Sequence, residues 1–200
     1  ELAKISSRTM NLYLKDTLKY RIYLDSSKTY TSFAQKFAQE NNITAYNGFI
    51  EIYFGDIAYY QKYYEDAKKH YSKALTFFEK KESKKRIYQV QYKVAQCHYY
   101  LNNFKNAEFI FLKHIENDVW SQYPLLDYGA KCYDYLAQIY KHNNDLSKTI
   151  EYTEKYIQKY EEFCALKSDS DLNITSTLHF EERKKEINTL KRKNEQQLHR

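Results

Sequence analysis

Glycine and proline are almost missing from these 200 residues: three of one and one of the other. A sheet-rich chain of this length needs many more turn formers, so the composition excludes a mainly β fold and leaves helix. Cysteine is scarce as well, three residues with no CxxC and no regular spacing, which argues against a disulfide framework. No stretch approaches the ~18 apolar residues of a membrane span. Charge of one sign is also lacking. Thirty-two basic residues stand against 26 acidic ones, a formal balance of +6, and the two signs alternate along most of the chain. Such interleaving is the mark of solvated helix faces, whereas nucleic-acid binding wants one dense basic face. The densest basic run, Lys80-Lys81-Glu82-Ser83-Lys84-Lys85-Arg86, reads as a solvated connection between helices.

Catalytic signatures are absent too. No Gly-rich phosphate loop is available with three glycines, and the six histidines form no HExxH or other ligand spacing. Cys97 and His98 are neighbours, but a helix points adjacent side chains ~100° apart, so they do not act on one another. The acidic pairs Glu161-Glu162 and Glu181-Glu182 fall on polar faces. The expectation is a chain that is not an enzyme and takes no cofactor or metal.

A repeat is present instead. Small residues recur at Ser27, Ala67, Ala107 and Thr149, with Leu24, Tyr64, Phe104 and Leu146 three places earlier and Thr31, Tyr71, Phe111 and Thr153 four places later. Gly55, Ala95 and Ala137 stand twelve places before the last three small residues. A period of about 40 marks an array of helical units. Each unit reads as a hairpin, which must stack on its neighbours to bury both apolar faces. The units span about 5–42, 44–82, 85–116 and 124–165, within a repeat domain of 1–166. In the first, a polar break at Asp25-Ser26-Ser27 separates two helices; Asn41-Asn42, Asn102-Asn103 and Asn143-Asn144-Asp145 mark turns elsewhere. Pro124 suits the first turn of a helix. Gly55, Ala95 and Ala137 are expected to face Ala67, Ala107 and Thr149 where the two helices of a hairpin cross closely.

These residues resemble the tetratricopeptide repeat. Phe54-Gly55, Tyr64, Ala67, Tyr71 and Ala74 match its signature in the second unit, Val94-Ala95, Phe104, Ala107 and Phe111 in the third, and Leu136-Ala137, Tyr140, Leu146 and Ile150 in the fourth. Lys15 in unit one and His114 in unit three depart from the pattern, each standing where a small residue belongs. The resemblance implies an all-α, right-handed superhelical array of antiparallel hairpins whose first helices line a concave groove. By position it assigns to that groove Leu12, Asp16 and Lys19, then Ile52, Asp56 and Tyr59, then Tyr92, Gln96 and Tyr99, and last Asp134, Gln138 and Lys141. The occupant it implies is a protein or peptide, and the 23 tyrosines suit such a groove as rigid amphipathic contacts.

The segment 172–200 differs in kind. Phe180, Ile187 and Asn194 are spaced by seven, with Leu190 and Gln197 at the other seam position, as in an incipient coiled coil. It resembles the charged helix that follows the repeats in Bacteroidetes signalling proteins, which there leads to a membrane helix and an output module. That likeness implies a sensor domain of a signal-transduction or transcription-regulatory protein, periplasmic or else cytoplasmic, with a membrane helix beyond Arg200 and a homodimer through this helix. The chain starts at Glu1 rather than Met and stops within a helical pattern, consistent with a piece of a longer protein. Two alternatives stand beside the sensor: a structural scaffold, and a peptide-regulated receptor resembling the Rap quorum-sensing proteins. For the last helix itself, packing of Ile187 and Leu190 back onto the array is the alternative to pairing.

Overall fold

The computed structural model describes the backbone of residues 17–121, 127–166 and 174–198, and all regular structure among them is helical. Eight helices follow one another: α1 Thr17–Glu40, α2 Asn47–Tyr60, α3 Tyr64–Lys80, α4 Lys84–Tyr100, α5 Phe104–Glu116, α6 Tyr128–His142, α7 Leu146–Ala165 and α8 Ile174–Leu198. The all-α expectation holds, and most boundaries fall within three residues of the sequence reading. The chain forms two compact units, Glu1–Asn103 and Phe104–Arg200. The repeat unit expected over 85–116 is thus divided, α4 belonging to the first unit and α5 to the second.

One expected break does not occur. Helix α1 runs without interruption through Asp25-Ser26-Ser27. These three residues are weak helix formers but not breakers, since each costs only a few tenths of a kcal/mol against alanine. Ser27 is itself buried, and the hydroxyl of Thr31 donates to its carbonyl at 2.7 Å. Leu24, one place before the expected break, packs with Ile57 of α2, so tertiary burial holds this turn helical. Tyr20 adds a hydrogen bond from its hydroxyl to the carbonyl of Tyr60. The helix expected to precede the break, and Pro124 of the fourth unit, lie wholly or largely outside the described residues.

The turns share one geometry. Asn42, Lys62, Glu82, Asn102, Asp118 and Asn144 have φ between 45° and 65°, each just past the end of a helix. The next amide in each case donates back to the carbonyl five residues earlier, at 2.7–3.1 Å. This is the Schellman closure, which satisfies carbonyls that a helix end leaves open. The basic run at 80–86 is one of these turns, and the guanidinium of Arg86 rests over the Phe49 ring at 5.0 Å.

In the first unit, α2 and α3 form a hairpin that packs on α1 and on α4. Its core gathers Ile52, Ala67, Tyr71, Phe78, Val90 and Cys97. In the second unit, α6 and α7 form the hairpin, with α5 against α6 and α8 against α7. Phe111 stacks on Tyr135 at 5.0 Å, and Tyr156, Tyr160 and Phe180 close the far side. Gly55 is needed for close approach, but its nearest neighbour is the ring of Tyr71: a Cβ there meets Cε1 at 2.4 Å. Tyr71 stands one turn beyond Ala67 on α3, and both are buried in this core.

Candidate partner-binding faces

The twelve positions assigned to a groove separate into distinct environments. Leu12 and Asp16 lie outside the described residues, and Lys19 is described only as part of the backbone of α1. Ile52 and Tyr92 are 9 % and 2 % exposed, so both belong to the core of the first unit and offer no surface to a ligand. Their placement follows from packing: a hairpin flanked by helices on both sides buries more than one stripe of each helix.

Asp56 is buried as well, and it is already engaged. The hydroxyl of Tyr71 on α3 donates to its Oδ1 at 2.6 Å, and Nζ of Lys93 on α4 reaches the same oxygen at 2.7 Å. Three helices therefore meet at one carboxylate. Burial pushes the Tyr71 phenol well up, and the neighbouring Asp56 charge pushes it further, so the phenol remains a donor. Asp56 is a structural junction rather than a free ligand contact.

What stays accessible in the first unit is aromatic and amide surface. Tyr59, Gln96 and Tyr99 are half-buried, and Tyr100 beside them is exposed. The Tyr59 ring meets Tyr64 and Tyr100 edge-on at 5.5 and 5.7 Å, Tyr64 stacks on Tyr100 at 4.8 Å, and Tyr99 meets Tyr100 edge-on at 5.2 Å. Such edge-and-face contacts fix the rings, leaving a rigid platform with little rotamer freedom to lose on binding. Tyr64 and Tyr100 were not among the assigned positions. Tyr64 carried a signal as the repeat residue three places before Ala67, and Tyr100 stands 40 residues after Tyr60.

In the second unit two of the assigned positions, Asp134 and Lys141, meet the chain's own last helix. Asp134 accepts from Nε2 of His179 at 2.9 Å and from Nε of Arg183 at 2.7 Å. Arg183 also donates from Nη1 to Glu186 at 2.6 Å, and Glu186 accepts from Lys141 at 2.5 Å. Gln138 is half-buried between these pairs in sequence. Burial alone raises the Asp134 carboxyl, but the His179 hydrogen bond and the Arg183 charge outweigh it and hold it below the usual range. Glu186 is lowered in the same way, burial being overcome by hydrogen bonds from Lys141 and Arg183. Phe180, Ile187 and Leu190, the seam expected for a coiled coil, are buried within this unit at 7–8 % exposure. The last helix is packed back, not extended as a free seam.

Groups with catalytic potential are held neutral. Burial pushes the Cys97 thiol up to about 12, and burial also raises Cys132. His114, at the position where the repeat calls for a small residue, is 1 % exposed with its ring edge-on to Trp120 at 5.4 Å. Burial and the charge of Lys113 lower it to about 4. Among the described residues no group of three or more His, Cys, Asp or Glu is arranged to hold a metal ion, and no helix is long and apolar enough to cross a membrane.

No family model matches the chain, and no curated protein matches it. Among solved structures, the crystal structure of BtubC (BKLC) from P. vanneervenii is similar, with a TM-score of 0.58 at 10 % identity over 94 % of this chain and 81 % of that one. At that identity the likeness is one of fold, and it supports the helical, repeat-like architecture described above.

Proposed function

We propose that this chain is a non-catalytic protein- or peptide-binding domain of tetratricopeptide-like hairpins, serving as the sensing part of a signal-transduction or transcription-regulatory protein. One observation carries the reading. Asp134 and Lys141 of α6 hold Arg183 and Glu186 of another helix, α8, through paired charges, while α8 packs on α7 beside them. First helices in this chain are therefore suited to hold another chain segment, which is the chemistry of helix-in-groove recognition. The platform of Tyr59, Gln96, Tyr99 and Tyr100 offers a second such surface, in the first unit. Thiols held protonated and a histidine held neutral fit a binding role better than a catalytic one.

A structural scaffold is the second reading, favoured by the ion pairs that tie α8 into its unit. One experiment addresses both. Peptides selected against the chain from a random 15-residue display library are measured against wild type and a Tyr59→Ala/Gln96→Ala/Tyr99→Ala variant. The binding reading expects at least a tenfold loss in the variant; equal affinities sink the assignment of that surface. Hydrogen exchange of α8 with and without a selected peptide then separates the two roles. A change in α8 supports relay, and an unchanged α8 supports a scaffold.

A further inference from the structure

Departures from the repeat converge on one place in the second unit. His114 stands where a small residue belongs, Trp120 follows the left-handed turn at Asp118, and Gly129 sits in the first turn of α6. The indole of Trp120 is held edge-on by His114 and Tyr128, at 5.4 and 5.3 Å. A Cβ on Gly129 would meet Cβ of Trp120 at 3.0 Å, so a larger residue there would push α6 away from Trp120.

Between these groups and α7 lies a recess of about 180 Å³, open to solvent on one side. An apolar space of about 150 Å³ is enough for benzene. The floor is formed by His114, Trp120 and Ala130, none more than 7 % exposed, and the half-buried rings of Tyr133 and Phe163 stand beside it. Burial holds the His114 imidazole neutral, so the floor carries no charge. Charge is confined to the exposed mouth, where Asp118 and Glu162 stand against one ammonium, that of Lys159. Lys159 pairs with Glu162 at 2.7 Å, which leaves Asp118 in excess. Burial raises the Tyr133 phenol, Lys159 opposes that and Asp118 adds to it, so both mouth charges are felt at the Tyr133 hydroxyl. An apolar hollow with a few polar groups at its edge is the usual form of a small-ligand site.

We propose that this recess binds a small aromatic amine, its ring on the floor beside Trp120 and Phe163 and its ammonium at Asp118. The volume admits one ring with a short side chain. Aromatic walls favour the ring through contact and an ammonium through their quadrupole. A carboxylate of the same size meets Asp118 and Glu162 and is repelled. The site lies wholly within the second unit, apart from the tyrosine platform and from the ion pairs of α8, and its test is independent of theirs.

The probe is phenethylamine, titrated into the whole 200-residue chain while the emission of Trp120, its only tryptophan, is followed. A saturable change is expected; no change, or one that never saturates, overturns the proposal. Phenylpropionate, close in size and opposite in charge, is expected to bind at least fivefold more weakly, and equal or tighter binding of it sinks the assigned chemistry. Asp118→Asn keeps a residue that tolerates the left-handed turn. It is expected to weaken phenethylamine about fivefold, the scale of an exposed ion pair, and to leave the neutral benzyl alcohol unchanged. Ile115→Phe, which fills the recess from α5, is expected to weaken the amine and the alcohol alike by at least tenfold. Circular dichroism checks that it folds, and Leu166→Phe at the exposed rim replaces it if it does not. Binding indifferent to both Asp118→Asn and the filling variant places the probe elsewhere and overturns the site.

Discussion

Glycine and the left-handed turn, usually found together, are separated in this protein. All three glycines lie within helices, at 48, 55 and 129, where a side chain would strike Phe77, Tyr71 or Trp120. The six left-handed turn positions are filled instead by Asn, Asp, Lys and Glu. Asn and Asp tolerate that region because their short polar side chains bond locally, but for other residues it costs about 1–2 kcal/mol. Lys62 and Glu82 are therefore the strained pair, held by the closure that each turn makes. Glu82→Gly is expected to raise stability by about 0.5–1 kcal/mol, allowing for the entropy glycine adds to the unfolded chain. Asn102→Gly should gain less. Thermal melting of the two variants beside wild type checks this, and a lower melting temperature for Glu82→Gly counts against the turn being strained.

At the scale of elements, the end of α5 shows how a departure from the repeat is accommodated. His114 stands where a small residue was expected, and Trp120 folds back over it after the Asp118 turn. The imidazole is then buried and held neutral, its pKa lowered from 6.5 to about 4. Because the unfolded chain takes up that proton more readily, the contribution is complete above about pH 6.5 and is lost as pH falls toward 4. The shift corresponds to about 3 kcal/mol. Asp134 and Glu186, both lowered, add their losses further down, from their ordinary values of 3.8 and 4.5 toward lower pH. Urea denaturation at steps between pH 7 and pH 4 is expected to show this decline, with a shallower slope in His114→Gln. Equal slopes would mean that His114 titrates normally in the folded chain.

At the scale of the molecule, each helix packs chiefly on those next to it in sequence, within each of the two units. Stability in such an arrangement is a sum of local terms and nearest-neighbour interfaces. A defect is therefore expected to be felt close to its origin. Gly55→Ala, which drives a methyl into the Tyr71 ring, should cost about 1–3 kcal/mol by overpacking and disturb the Tyr71–Asp56–Lys93 junction. Hydrogen exchange by mass spectrometry is expected to show faster exchange in α2, α3 and α4 before any change in α6 and α7. Uniform acceleration through the whole chain would argue instead for one cooperative unit.

How much of this was legible beforehand differs between fold and site. The period, the helix pairs from α2 onward and the asparagine turns were readable, because periodicity and turn chemistry are local properties of the chain. The continuity of α1 was not, since Asp-Ser-Ser is a weak signal that the burial of Leu24 and Ser27 overrides. Nor was the fate of the assigned groove. Ile52, Asp56 and Tyr92 share the helical register of Tyr59, Gln96 and Tyr99, and register says which face a residue is on but not what covers that face. Asp134 and Lys141 were placed on the right helix, yet their partners lie 45 to 49 residues away on a helix that looked like a separate extension.

The sequence by itself determined an all-helical chain of repeated pairs, because scarcity of turn formers and spacing of apolar residues act through local backbone geometry. Only the tertiary structure decided which charges are junctions and which surfaces remain open, because that depends on which helix comes to rest against which. For α8 the same residues were compatible with pairing outward or packing inward. Its arginine and the buried carboxylate of Asp134 resolve the choice, since a buried charge must find its partner within the fold.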